Sequence, residues 1–346
     1  MIVKKEVEIG GKLFSIETGR YARQANGAVM VRYGDTMVLV TAVASQEAKE
    51  DQDFFPLQVE YREKTSAAGK FPGGFIKREG RPTEKEILSS RLIDRPIRPL
   101  FPENFMNETQ VIAFVLSYDG QNDADVLSAI GASAALTISD IPFDGPIAEV
   151  RIGRINGQLV LNPTHTEIEQ SDLELVVAGT SDSIIMVEGE SKELSENDIL
   201  DALKFAQAEI KKLVQLQIDL RNEAGKNKWE IKTKAIDEEL KKEVLEIAGE
   251  KFKDIVHSVL AKEERAIKNK QLQEEVISAL SERFPEQEKV IAGILHDLEK
   301  ELMRERILSE GIRLDGRNTT QIRPITIELG NLPRTHGSAL FTRGET

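Results

Sequence analysis

The sequence predicts an α+β fold over residues 1–225, an all-helical region over 226–310, and a return to β-type sequence over 311–346. Three observations lead there. The first region holds short apolar runs rich in β-branched residues and bounded by glycines. From Trp229 to about Arg306, Lys and Glu dominate and apolar residues recur at three and four. The last twenty residues, 327–346, repeat a segment near the N-terminus.

Taken in order, Gly27 to Val43 reads as two strands joined at Tyr33-Gly34-Asp35. Val111–Ser117, Leu173–Gly179 and Ile184–Glu188 read as further strands. Ala124–Thr137 is rich in Ala, Ser and Gly at helical spacing, and such small side chains let a helix approach a sheet closely. A second helix opens at Ser195, an N-cap followed by the acidic first turn Glu196-Asn-Asp198, and runs to about Glu223. Its apolar face is Ile199, Leu203, Ala206, Ile210, Leu213 and Leu216.

The Lys/Glu-rich region is compatible with a solvated coiled linker or a compact helical domain. The domain is favoured because Phe252, Ile255, Val256, Val259, Leu260, Phe284, Ile291, Ile294 and Leu295 suffice for a core. In the repeat, Ile16-Glu-Thr-Gly19 aligns with Ile327-Glu-Leu-Gly330, and Arg23 with Arg334. After a one-residue shift, Gly27-Ala-Val-Met30 aligns with Gly337-Ser-Ala-Leu340, and Gly34-Asp-Thr36 with Gly344-Glu-Thr346. Glycines recurring at turns mark shared backbone geometry; chance is the alternative over so short a stretch. The copy stops at Thr346 before its central strands, so the sequence reads as a fragment.

Composition narrows the function. The chain has 346 residues, no Cys and 4 His, which excludes thiolate chemistry and disfavours a zinc site. The N-terminus alternates polar and apolar residues without a signal-peptide core, and no later run is long enough to span a bilayer. A cytoplasmic protein is the expectation. The net charge of -13 argues against a basic nucleic-acid-binding body but leaves room for a local basic path.

Residues 62–98 are such a path, with ten Lys or Arg against five acids. The first part, Ala67 to Pro82, has the Gly and Pro content of a mobile loop. Phe71 and Phe75 sit in it beside Lys77, Arg78 and Arg81. Rings for stacking next to cations for phosphates are what single-stranded nucleic acid needs. The second part is a helix with capping-box spacing at Thr83-Glu-Lys-Glu86 and an expected stop at Pro96. Arg91 and Arg95 share one face of it, and Arg98 follows. The structural alternative is a surface loop and a helix whose arginines pair with Glu86 and Asp94.

FPGGFIKREGRPTEKEILSSRLIDRPIRPLFP, IGASAAL, IPFDGP and LPRTHGSALFTRGET resemble bacterial polynucleotide phosphorylase, and the match runs along essentially the whole chain. The resemblance implies two RNase PH-like cores (the ribosomal protein S5 domain 2-like fold) joined by a helical domain, with KH and OB-fold domains following. It assigns 1–225 to the first core, 226–310 to the helical linker domain and 311–346 to the start of the second core. It implies 3′-to-5′ phosphorolysis of RNA in mRNA degradation, with inorganic phosphate as co-substrate and release of nucleoside diphosphates. It also implies Mg2+, a homotrimeric ring threaded by single-stranded RNA, and partners in an RNA-degradation complex.

The family's catalytic site lies in the second core, with a Ser-rich phosphate loop and an Asp-x5-Asp-x-Lys pattern. The first core here departs from both. Asn122-Asp-Ala-Asp125 stands where the Ser-rich loop belongs, and two carboxylates repel phosphate. Ile168, Glu174 and Val176 stand at the Asp, Asp and Lys positions, leaving Glu174 as a remnant. The first core is therefore expected to be catalytically silent, and no catalytic residue or metal ligand is assigned in residues 1–346. Phe75, Lys77, Arg78 and Arg81 match the family's channel-aperture loop that grips RNA. Ile76-Lys77 replaces the Phe-Arg of many members, losing a stacking surface and a bidentate fork. Arg91 and Arg95 match arginines lining the route to the active site, and Arg98 is counted with them. Glu79 and Glu84 are expected to serve in salt bridges. The rival functions are a non-catalytic RNA-binding scaffold and a stand-alone tRNA-trimming RNase PH; the helical domain and the second repeat argue against the latter.

Overall fold

The computed structural model describes residues 1–346 apart from 50, 51, 53 and 232–236, and divides into two compact units, Met1–Thr233 and Lys234–Thr346. The expected helical region includes 232–236, which lie outside the described residues.

The first unit opens with four antiparallel strands, β1 (Val3–Ile9), β2 (Lys12–Thr18), β3 (Gly27–Tyr33) and β4 (Thr36–Ala44). Then come β5 (Leu57–Glu63), helix α1 (Glu84–Ile97), β6 (Thr109–Ser117) and helix α2 (Asp125–Ile138). These strands form one six-stranded sheet in the order β1-β2-β3-β4-β6-β5, with β5 parallel to β6. Next are β7 (Ala148–Ile155), β8 (Gln158–Leu161), the one-turn α3 (His165–Ile168), β9 (Leu173–Gly179) and β10 (Ile184–Ser191). A second, antiparallel sheet has the order β10-β9-β7-β8, and α4 (Glu196–Ala224) closes the unit.

Every residue of α2 is buried. It packs against β3, β4 and β6 of one sheet and β7 of the other. The small side chains permit this. A Cβ on Gly131 would lie 2.5 Å from a methyl of Val40 and 3.0 Å from one of Val31, and a Cβ on Gly27 would lie 2.0 Å from the Ala135 carbonyl oxygen. The helix is therefore seated about one methyl group deeper than any other residue would allow.

Residues past α4 run back over the C-terminal end of α2. The Lys228 ammonium donates to the Leu136 and Ser139 carbonyls at 2.7 and 2.8 Å, and the Trp229 N–H donates to the Asp140 carbonyl at 2.8 Å. A cation there suits the helix dipole, although burial, reinforced by Arg221, lowers Lys228 to about 8. Trp229 thus packs on the first core instead of opening the helical region.

In the second unit, α5 (Glu238–His257), α6 (Lys262–Leu280) and α7 (Glu288–Glu310) share a core that includes Leu240, Val244, Phe252, Val276, Ile291 and Leu295. Val259, expected in this core, is 61% exposed because α5 has ended and its turn faces outward. Arg306 of α7 is buried instead, donating to the Val256 carbonyl at the end of α5 and pairing with Glu310 at 3.3 Å. His257 also reaches Glu310, at 3.1 Å.

The chain ends in a hairpin of β11 (Ile325–Leu329) and β12 (Ala339–Arg343). Its pairs Ile327↔Phe341, Glu328↔Leu340 and Leu329↔Ala339 occupy the places of Ile16↔Val31, Glu17↔Met30 and Thr18↔Val29. The turn glycines match as well, with φ +88° and +60° at Gly19 and Gly34 against +71° and +66° at Gly330 and Gly344. The repeat seen in the sequence is a repeat in strand register.

Gly131→Ala is expected to destabilise the first unit by about 1–3 kcal/mol, since the added methyl would meet the Val40 and Val31 side chains at 2.5 and 3.0 Å. Urea unfolding of the variant against the parent checks this.

Candidate nucleic-acid interface

β5 delivers the chain to the basic loop, and its first residues are anchored. Glu79 accepts from the Thr65 N–H at 3.0 Å and from its hydroxyl at 3.2 Å, and Arg62 donates to the Gly80 carbonyl at 3.0 Å. Glu79 therefore pins the base of the loop by hydrogen bonds rather than by the expected salt bridge. At the far side the Thr83–Glu86 capping box forms as its spacing predicts: the Thr83 hydroxyl accepts from the Glu86 N–H, and the Glu86 carboxylate accepts from the Thr83 N–H at 2.7 Å. Glu86 also holds Arg62, at 3.3 Å.

Between these anchors the loop projects. Phe71 is 90% exposed and Phe75 fully so. Lys77, Arg78 and Arg81 are exposed and have no ion-pair or hydrogen-bond partner among the described residues. Lys77 holds a left-handed φ of 54°. Arg62, Arg78 and Arg81 line a cleft of about 400 Å³ at the foot of the loop together with Glu63, Glu79 and Glu86.

The three arginines on and after α1 differ. Arg91 is exposed and unpartnered among the described residues. Arg95 pairs with Glu188 of β10. Arg98 is committed to the protein: it bonds both Asp94 oxygens at 2.7 and 3.0 Å, bonds the Phe55 and Leu57 carbonyls, and lies over the Phe55 ring. Pro96, expected to stop the helix, sits inside its last turn, and a 3-10 turn over Arg98–Leu100 ends it. With no N–H, Pro96 cannot bond the Leu92 carbonyl, and the helix gives way to the 3-10 turn directly after it.

The N-terminal end of α2 carries the second charge cluster. Asp125 accepts from its neighbour's N–H, Val126, at 2.7 Å and from Arg151 of β7 at 2.5 Å. Arg151 also bonds Glu174 of β9, and Asp123 lies 3.8 Å away. Burial works against the Arg151 charge, but Asp125, Asp123 and Glu174 outweigh it and raise its pKa. The carboxylates read as repelling phosphate are thus bound by an internal cation. Asp125 and Glu174 are both spent on Arg151, so this end of the first core does not fit a magnesium ion. Among the described residues no three His, Asp or Glu side chains are arranged to hold a metal.

Sequence reasoning missed Arg151 and its neighbour Glu149. The available signal was two charges at i and i+2 inside an otherwise apolar strand, both of which must face one side. Glu149 is fully buried, and among the described residues neither carboxylate oxygen has a hydrogen-bond partner. Burial pushes its carboxyl well above the ordinary range, and the Asp125 charge adds to this.

Family models match both halves of this architecture. Residues 11–142 match the 3′ exoribonuclease family, domain 1, and 145–209 match its domain 2. The first unit is thus an RNase PH-type core of the 3′ exoribonuclease family. Residues 239–318 match the polyribonucleotide nucleotidyltransferase RNA binding domain. Proteins named polyribonucleotide nucleotidyltransferase from Geobacter sulfurreducens and Geotalea uraniireducens are 53% and 54% identical over 99% and 100% of the chain. One from Chlorobaculum parvum is 51% identical over 100% of it. The chain belongs to the polyribonucleotide nucleotidyltransferase family. It spans about half the length of these relatives, 49–50%. Among the described residues no helix is long and apolar enough to cross a membrane.

Two outcomes are expected. Replacing Lys77, Arg78 and Arg81 together by Ala should weaken single-stranded RNA binding across sequences and lower its log–log salt slope by about 2; titrations at several salt concentrations test this. Glu149→Gln should flatten the pH dependence of stability. Because the folded pKa is raised, wild-type stability is complete below the unfolded-state value and is lost as pH rises toward the folded value. The variant should therefore gain about 1–2 kcal/mol on wild type at pH 8 and little at pH 4, as read by urea unfolding at both.

Proposed function

We propose that this chain is the RNA-guiding part of a 3′-to-5′ phosphorolytic exoribonuclease, a polyribonucleotide nucleotidyltransferase that releases nucleoside diphosphates from mRNA. The observation that carries the reading is the anchored loop with exposed Phe75 and unpaired Lys77, Arg78 and Arg81. Cations without internal partners are available to phosphates, and an exposed ring is available to a base. Arg91, one helix face away, extends the path, and Arg95 joins it if RNA displaces Glu188. Arg98 contributes by fixing the end of α1.

In this reading the first core, over about 1–225, is catalytically silent, since its phosphate-loop position is closed by Asp125 and Arg151. The helical linker domain covers about 226–310, and the hairpin from 311 onward opens a second core. That second core would carry the reaction. A phosphate oxygen attacks the terminal phosphodiester, the bond to the 3′-oxygen breaks, and that oxygen takes a proton on the shortened RNA. Magnesium is assigned there, not to the first core. A cytoplasmic homotrimer with its loops gathered around one channel, in contact with other RNA-degrading proteins, completes the proposal.

The test is phosphate-dependent release of diphosphates from poly(A). The full-length protein should show it and residues 1–346 alone should show none. Turnover by 1–346 would refute the silent core, and a full-length protein that binds RNA without turnover would leave the scaffold reading.

A further inference from the structure

The second sheet carries a charged row across its strands. Arg151 of β7 lies opposite Val176 of β9, and Val176 lies opposite Glu188 of β10, so the two charged side chains share one face. Arg151 ties that face to α2 through Asp125, at 2.5 Å. Glu188 ties it to α1 through Arg95. The two ends of the row differ in solvent access. The Arg151 side chain is 10% exposed, whereas those of Arg95 and Glu188 are 45% and 54% exposed.

The Arg95–Glu188 pair is unlike the others of the basic segment. Arg62, Lys85 and Arg98 take acids of that same segment: Glu86 at 3.3 Å, Glu63 at 2.9 Å and Asp94 at 2.7 Å. Two of those acids also serve the backbone or a neighbouring side chain. Glu86 caps α1 and accepts from the Glu63 N–H, and Glu63 accepts from the Tyr61 hydroxyl. Glu188 stands 93 residues further along the chain than Arg95, and Arg95 is its one side-chain partner among the described residues. An exposed pair of this kind contributes little to folding, because water and salt screen it and two long side chains must be held still. A phosphate offers a guanidinium fork the same kind of oxygen pair as a carboxylate does. Glu188 and an RNA phosphate would therefore seek the same donors.

We propose that Glu188 is an internal competitor of RNA at Arg95. In the free protein its carboxylate holds the guanidinium; in the complex a phosphate replaces it. The exchange lowers the affinity of the path, and Arg95 adds to a strand already held by Lys77, Arg78, Arg81 and Arg91 rather than starting the contact. This rests on the reading of residues 62–98 as an RNA path.

The test is a double-mutant cycle on the 346-residue chain, read by anisotropy of a fluorescent single-stranded oligo(A) at fixed salt and by thermal melting. Glu188→Gln should bind RNA about two- to fivefold more tightly than wild type and melt at the same temperature. Glu190→Gln is the control: it makes the same charge change on the same strand, at an exposed residue with no ion-pair partner among the described residues, and should bind as wild type does. Arg95→Gln should bind more weakly, and adding Glu188→Gln to it should restore nothing. Equal tightening by Glu188→Gln and Glu190→Gln would show a general charge effect and overturn the proposal. So would a gain from Glu188→Gln that persists without Arg95, or a lower melting temperature with unchanged affinity, which would make the pair a structural clasp. In each of these cases wild type still binds RNA and the path itself stands. Absence of RNA binding by wild type and by Glu188→Gln alike overturns both the path and the competitor.

Discussion

Everything in the first unit is arranged around one fully buried helix. A helix between two sheets must present apolar surface on all sides and must have both ends satisfied from outside itself. Gly27 and Gly131 set how closely α2 meets the six-stranded sheet. Asp125 with Arg151 covers its N-terminal end, and Lys228 covers its C-terminal end. The charged side chains that look out of place in the apolar strand β7 exist because that helix end lies beside them.

Pairing decides which charges are free to act outward. The chain carries -13 overall, yet the loop between β5 and α1 offers cations with no internal acid opposite them. The helix that follows leaves most of its own paired: Arg98 goes to Asp94 and two carbonyls, Lys85 to Glu63 and Arg95 to Glu188. Glu79 and Arg62 hold the loop's base.

The duplicated hairpin shows how one piece of backbone is reused. β2–β3 and β11–β12 share register and turn glycines, but the apolar row buried in the first copy is exposed in the second. In the first copy the helix end that follows the strands is closed by Arg151.

Much of this was legible in the chain itself. The strands from Gly27 to Val43, the small-residue helix, the capping box at Thr83, the N-cap at Ser195 and the repeat all follow from local rules, since glycine torsions, caps and periodicity act over a few residues. The unpartnered aromatic loop was legible too, because nothing nearby in sequence could cover Phe71 or Phe75. What only the tertiary structure decided depends on residues far apart. Arg151 meets Asp125 and Glu174 because β7, β9 and α2 converge, and Arg306 reaches Val256 because α5 and α7 end together. Val259 looked like core by spacing and is exposed because the helix had already turned. Which arginines remain free was likewise set by packing: Arg91 and Arg98 are one chain motif, but only one of them finds a carboxylate and two carbonyls within reach.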